Sequence, residues 1–262
     1  MSTLIHRDVP YRAVEGYRPL SLDLHLPASE RPPVIVFLHG GGWRRGSRAM
    51  FYPGVSERES FGRLTDAGFA VASVDYRLSG EATFPAQSDD VSAALAWIRT
   101  AGAEEHGLDA SRIVMWGESA GGHLAALAAL TDPPLAGAVC WYAPSDLTTF
   151  PRDPSDPEPT REEQLLGGTA RDLPELARAA SPALRVDPGC PPFHIAHGDA
   201  DDLVPPAQSE ALAAAVCAAG GDAELILVPG ASHMWRGVAD SATVFDPAIA
   251  FARRVTRVSP ST

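Results

Sequence analysis

Six short apolar runs punctuate the chain: PPVIVFLHG from residue 32, FAVASVDY from 69, RIVMWG from 112, LAGAVCWYA from 135, PPFHIAHG from 191 and AELILVPG from 223. A run without polar alternation is what a strand buried on both faces requires, because neither face meets water. Stretches of helical composition lie between the runs, at 57–67, 86–104, 120–130, 206–219 and 241–257. Such alternation predicts an α/β fold with a mostly parallel sheet and helices on both faces. Before the first run, DVPYRAV and LSLDLHL flank the turn EGYRP and predict an antiparallel hairpin, bringing the sheet to about eight strands. At 262 residues the chain fits one large domain, and no internal repeat divides it.

One segment breaks the rhythm. Residues 145–190 are too long for a plain connection. Four prolines between positions 151 and 159 prevent a regular helix there, while DLPELARAASP suits a short one. The segment reads as a solvated excursion or as a lid, and its place between two candidate catalytic loops favours the lid.

In open α/β sheets, ligands bind at the carboxyl ends of the strands. Four strand ends here carry reactive loops: His39-Gly40-Gly41-Gly42-Trp43, Gly117-Glu118-Ser119-Ala120-Gly121, His197-Gly198-Asp199-Ala200-Asp201-Asp202, and Ala231-Ser232-His233. Strand, Gly-x-Ser-x-Gly, then helix is the context of a nucleophile elbow, although a helix-capping serine has the same spelling. If Ser119 is the nucleophile, the Ala120 amide at the helix start faces a developing oxyanion with the helix dipole behind it. Among eight histidines, His233 combines a strand-end loop with a position after the candidate acids, and so is the expected base. His123, four residues past the serine, is expected to pack the elbow helix. Asp199, Asp201 and Asp202 all remain open as the acid on chemistry alone. The amides of Gly41 and Gly42, unobstructed by side chains, suit the oxyanion site.

Composition narrows the partners. A formal charge of −12 disfavours nucleic acid and anionic membrane surfaces. The chain contains neither lysine nor asparagine, which excludes a Schiff-base lysine, a P-loop lysine and an N-glycosylation sequon. Cys140, Cys190 and Cys217 match no zinc spacing and read as buried thiols in a reducing compartment. With no apolar run long enough to span a bilayer and no leader-like N-terminus, a cytoplasmic location is expected.

Together HGGGW, DYRL at 75–78, FPAQ at 84–87, GESAGGHLA, HGDADDLVP and GASHMW resemble the α/β-hydrolase family across almost the whole chain. More narrowly they resemble its small HGGG-type esterases, the hormone-sensitive-lipase-like and feruloyl or acetyl-xylan-esterase-like groups. The resemblance selects Asp201, because the family turn His-Gly-x-x-Asp-x-x-Val-Pro falls on His197, Gly198, Asp201, Val204 and Pro205. It implies two-step hydrolysis of a small-molecule ester through an acyl-enzyme on Ser119, with no metal or organic cofactor. Small to medium acyl groups are expected. Trp43, Tyr76 and Trp235 are expected to line the pocket, and Arg44, Arg45, Arg48 and Arg236 lie near the same loops. The rivals are an amidase of the N-formylkynurenine formamidase type and a non-catalytic binding protein on the same fold.

Overall fold

The central strand β3 (Pro33–Leu38) sets the layering. Val34, Val36 and Leu38 face one apolar core while Ile35 and Phe37 face another. All six residues are buried, so each large side chain contributes about 1.5–3 kcal/mol by leaving water. The computed structural model describes residues 4–132, 134–150, 155 and 157–258. The hairpin β1 (Leu4–Arg12) and β2 (Leu20–Leu26) forms one edge, followed by β4 (Ala70–Val74), β3, β5 (Asp109–Glu118), β6 (Gly137–Trp141), β7 (Phe193–Gly198) and β8 (Ala223–Val228). Only β1–β2 and β2–β4 pair antiparallel among these neighbours; β4 through β8 run parallel. The mostly parallel sheet of about eight strands expected from the apolar runs and the hairpin is therefore present.

Around the sheet lie α1 (Phe61–Asp66), α2 (Ala86–Trp97), α3 (Ala103–His106), α4 (Ala120–Thr131), α5 (Arg161–Leu166), α6 (Pro174–Ala179), α7 (Ala207–Ala218) and α8 (Ala242–Thr256). Two differ from expectation. The first helix starts at Phe61 rather than near 57, because Ser56 and Glu59 close hydrogen-bonded turns and Ser60 leaves helical geometry. The stretch 86–104 is helical but widens to a π-turn over Ile98–Gly102 before continuing as α3.

Residues 151–154 and 156, the proline-rich part of the 145–190 segment, lie outside the described residues. Its remainder is anchored to the main core. Leu165, Leu166, Ala177 and Ala180 are buried in the same cluster as β3 and α4. Thr160 and Glu163 form a capping box at the start of α5, and Phe84 N–H donates to Leu165 O at 2.8 Å. Among the described residues no helix is long and apolar enough to cross a membrane.

Candidate active site

Ser119 sits between β5 and α4 at φ 51°, ψ −120°, a conformation that costs about 1–3 kcal/mol for a residue with a Cβ. Two close approaches make the flanking glycines obligatory. A Cβ at Gly117 would lie 2.1 Å from Gly121 O, and one at Gly121 would lie 2.0 Å from Leu38 O. The elbow is thus wedged against the end of β3, the strand that carries the glycine loop. Ser119 N–H donates to Trp141 O at 2.8 Å, which ties it to β6 as well.

His233 is buried, and its two ring nitrogens reach Asp201 and Ser119. Nδ1 lies 2.7 Å from Asp201 Oδ2 and Nε2 lies 3.0 Å from Ser119 Oγ. With the carboxylate accepting, Nδ1 carries the proton and Nε2 is free to accept from the serine hydroxyl. The loops holding acid and base are locked together: a Cβ on Gly198 would lie 2.1 Å from Ala231 O, and Ala200 N–H donates to that oxygen at 3.0 Å.

The three candidate aspartates separate by contact. Asp201 is buried, and its Oδ1 accepts from the N–H groups of Leu203 at 2.9 Å and Val204 at 3.0 Å. Burial alone would push its carboxyl up; hydrogen bonds from His197, His233 and Val204 N–H outweigh that and hold it well below the usual carboxylate range. Asp199 accepts from Gly230 N–H at 2.7 Å and closes the turn, while Asp202 is exposed.

Gly41 (φ 117°) and Gly42 (φ 62°) line a cavity of about 540 Å3 together with Ser119 and His233. Neither glycine N–H donates to a described residue, and the Ala120 N–H, at the first turn of α4, has no intrahelical acceptor. The loop is braced from behind by Tyr76, whose hydroxyl donates to His39 O at 2.8 Å while its ring stacks on His39.

That bracing role corrects one expectation. Trp43, Tyr76 and Trp235 do not line the cavity; all three are buried behind it. Trp43 Nε1 donates to His123 Nδ1 at 3.2 Å, and Trp235 packs edge-on against Trp141 and Tyr142. His123 does brace the elbow helix: its Nε2 donates to Ala180 O at 2.7 Å, and burial lowers its pKa to about 4, so it stays neutral. Arg48 is also a structural residue, bound by Asp8, Asp23 and Asp75.

The cavity wall holds residues that sequence reasoning did not single out. Met50, Phe51, Leu203 and Met234 supply apolar surface, and Arg161 enters from α5. Glu118, fully enclosed beside the serine, accepts from Tyr142 OH at 2.7 Å and from Gly40 N–H at 3.4 Å. Its burial outweighs those two bonds and pushes its carboxyl up to about 7. The available signal was its place at the end of the apolar run of β5, whose residues 113–118 are all buried. Among the described residues no group of three or more His, Cys, Asp or Glu side chains is arranged to hold a metal ion.

A parallel sheet with an antiparallel hairpin at one edge, a serine elbow after β5 and an acid and a histidine after β7 and β8 define an α/β-hydrolase. The BD-FAE family model matches residues 22–216, and the chain belongs to that family. Esterase LipQ of Mycobacterium tuberculosis is 36% identical over 231 residues, covering 81% of this chain and 53% of LipQ. Esterase LipC of the same organism is 33% identical, covering 77% of this chain and 52% of LipC. The chain thus spans about half the length of these curated relatives. Among solved structures, a truncated carbohydrate esterase from gut microbiota superposes with a TM-score of 0.82 at 29% identity, covering 97% of this chain and 96% of that one. Esterase 2 of Thermogutta terrifontis, phosphonylated by sarin, superposes at 0.77 with 25% identity, covering 99% of this chain and 97% of that one.

Proposed function

We propose that the protein is a serine carboxylesterase that hydrolyses small-molecule esters of small to medium acyl groups. Ser119 is the nucleophile, His233 the base and Asp201 the acid. One observation carries the reading: an unbroken hydrogen-bonded line from Asp201 through His233 to Ser119, opening on a cavity lined by Gly41 and Gly42.

In the first step Ser119 Oγ attacks the ester carbonyl as its proton passes to His233 Nε2. Asp201 stabilises the imidazolium through Nδ1–H, and the Gly41, Gly42 and Ala120 N–H groups receive the oxyanion. The alcohol leaves with the proton from His233. Water then repeats the sequence on the acyl-enzyme and releases the acid. A cavity of about 540 Å3 suits ligands of this size. The remainder of 145–190 acts as a cap, a reading supported by Arg161 lining the cavity. A cytoplasmic site of action accords with three free cysteines among the described residues, although only Cys140 is buried as expected, Cys190 being half-buried and Cys217 exposed.

Hydrolysis of 4-nitrophenyl acetate and butyrate tests the reading. The protein is expected to turn over both, and Ser119→Ala to lose about 10⁴-fold or more in kcat. Equal turnover by the two proteins would discard it.

A further inference from the structure

Many arginines of this chain are bound by acids. Arg12 of β1 and Arg77 after β4 are held by Asp90, and Arg48 in the loop after β3 by three aspartates. Arg45, Arg161 and Arg236 instead line the cavity, and their guanidinium groups form no ion pair or hydrogen bond among the described residues. They arrive from three separate elements, namely the glycine loop, the start of α5 and the loop after His233.

Their stems fix where the charges begin. A Cβ on Gly42 would lie 2.6 Å from Arg161 Cδ, and one on Gly41 would lie 3.2 Å from Arg45 Cγ. Both side chains therefore lean on the two glycines of the oxyanion loop. The Arg236 backbone is tied to the histidine loop, its carbonyl accepting from Ser232 N–H at 2.8 Å. Among the described residues the sole carboxyl side chain in the cavity wall is Glu118, enclosed and already bonded to Tyr142 and Gly40. On a chain of net charge −12, the cavity is a local inversion of sign beside an apolar wall of Met50, Phe51, Leu203 and Met234. Clefts of one sign concentrate ligands of the other.

We propose that the substrate is an amphiphilic ester bearing an anionic group such as a carboxylate, received by Arg45, Arg161 and Arg236 while its apolar part rests on Met50, Phe51, Leu203 and Met234. This rests on the esterase reading above. Arginine suits the role because its fork matches a carboxylate or similar oxyanion bidentately.

The anion can belong to the acyl or to the alcohol part, and paired probes separate these. Mono-4-nitrophenyl glutarate and its methyl ester differ by one charge on the acyl side; 4-acetoxybenzoate and methyl 4-acetoxybenzoate differ by one on the alcohol side. The ratio of kcat/KM, anionic over neutral, is expected to reach about tenfold on one arm, mostly through KM, since each partly exposed arginine contributes up to a few-fold. Arg161→Gln, Arg45→Gln and Arg236→Gln should each lower that ratio, as should added salt. Because the ratio is taken within each variant, loss of folded protein does not mimic the effect. A ratio below about threefold on both arms, or one unmoved by all three variants, overturns the proposal while leaving an active esterase. Failure to hydrolyse any of the four probes removes the esterase reading and this one with it.

Discussion

Two enclosed carboxyl groups lie near Ser119, and their surroundings give them opposite charge preferences. Asp201, in the turn after β7, receives hydrogen bonds from His233 and from two backbone N–H groups, with His197 Nε2 at 3.3 Å. Those donors keep it ionised despite burial. Glu118, in the elbow, has only Tyr142 OH and a long contact from Gly40 N–H, and burial wins, pushing it up to about 7. Burial alone does not set the charge of a site acid; the number of donors aimed at it does. The same fold thus keeps an anion beside His233 and, beside Ser119, an acid that gains and loses its proton near neutral pH.

The comparison breaks most visibly at Asp201. Asp201→Asn should leave the fold intact yet lower kcat by about 10⁴-fold, because the amide no longer holds the His233 tautomer that accepts from Ser119. Steady-state turnover of 4-nitrophenyl butyrate measures this. A loss under tenfold would mean that another group orients His233.

The next effect concerns stability and has opposite signs at the two acids. Asp201 has a depressed pKa, so it contributes stability above the ordinary carboxyl range that is lost as pH falls through its folded value. Glu118 has a raised pKa. The folded state holds its proton when the unfolded chain has released it, so stability declines as pH rises from about 4.5 to about 7. The decline amounts to about 3 kcal/mol over that window. Denaturant unfolding of Glu118→Gln should lack this decline, so the variant gains on the native protein between pH 5 and 7. Parallel curves would place the Glu118 titration elsewhere.

Tyr142→Phe should cost about 1–3 kcal/mol in the same assay at pH 7.5, since Glu118 loses its shortest donor. The smallest effect is expected at Asp202. This exposed neighbour of the acid should tolerate Asp202→Asn within about 0.5 kcal/mol and with turnover retained.

The contrast also explains what the sequence made legible. Ser119, Asp201 and His233 could be found because each occupies a tight turn at a strand end, where spacing and glycines are dictated locally. Asp201 was separable from Asp199 only through a family pattern; its contacts with Leu203 and Val204 N–H now supply the physical reason. The partnership of Glu118 with Tyr142 depends on β5 and β6 lying side by side, which no local spacing states. Arg161 arrives across more than a hundred residues from the loop it touches, on an α5 whose docking depends on Leu165 and Leu166 reaching the core. The aromatic residues misled for the opposite reason. Trp43 and Trp235 are adjacent in sequence to catalytic loops, yet their side chains turn back into the core, where a large ring gains more by burial than by lining a wet cavity.

The central claim is that the Asp201–His233–Ser119 line activates one serine. A fluorophosphonate probe, followed by peptide mass spectrometry of the folded protein, tests it most directly. One adduct is expected, on Ser119, formed rapidly by the native protein and at a greatly reduced rate by Asp201→Asn. An unlabelled Ser119, under conditions that label a control esterase, would contradict it, as would an adduct on any other residue.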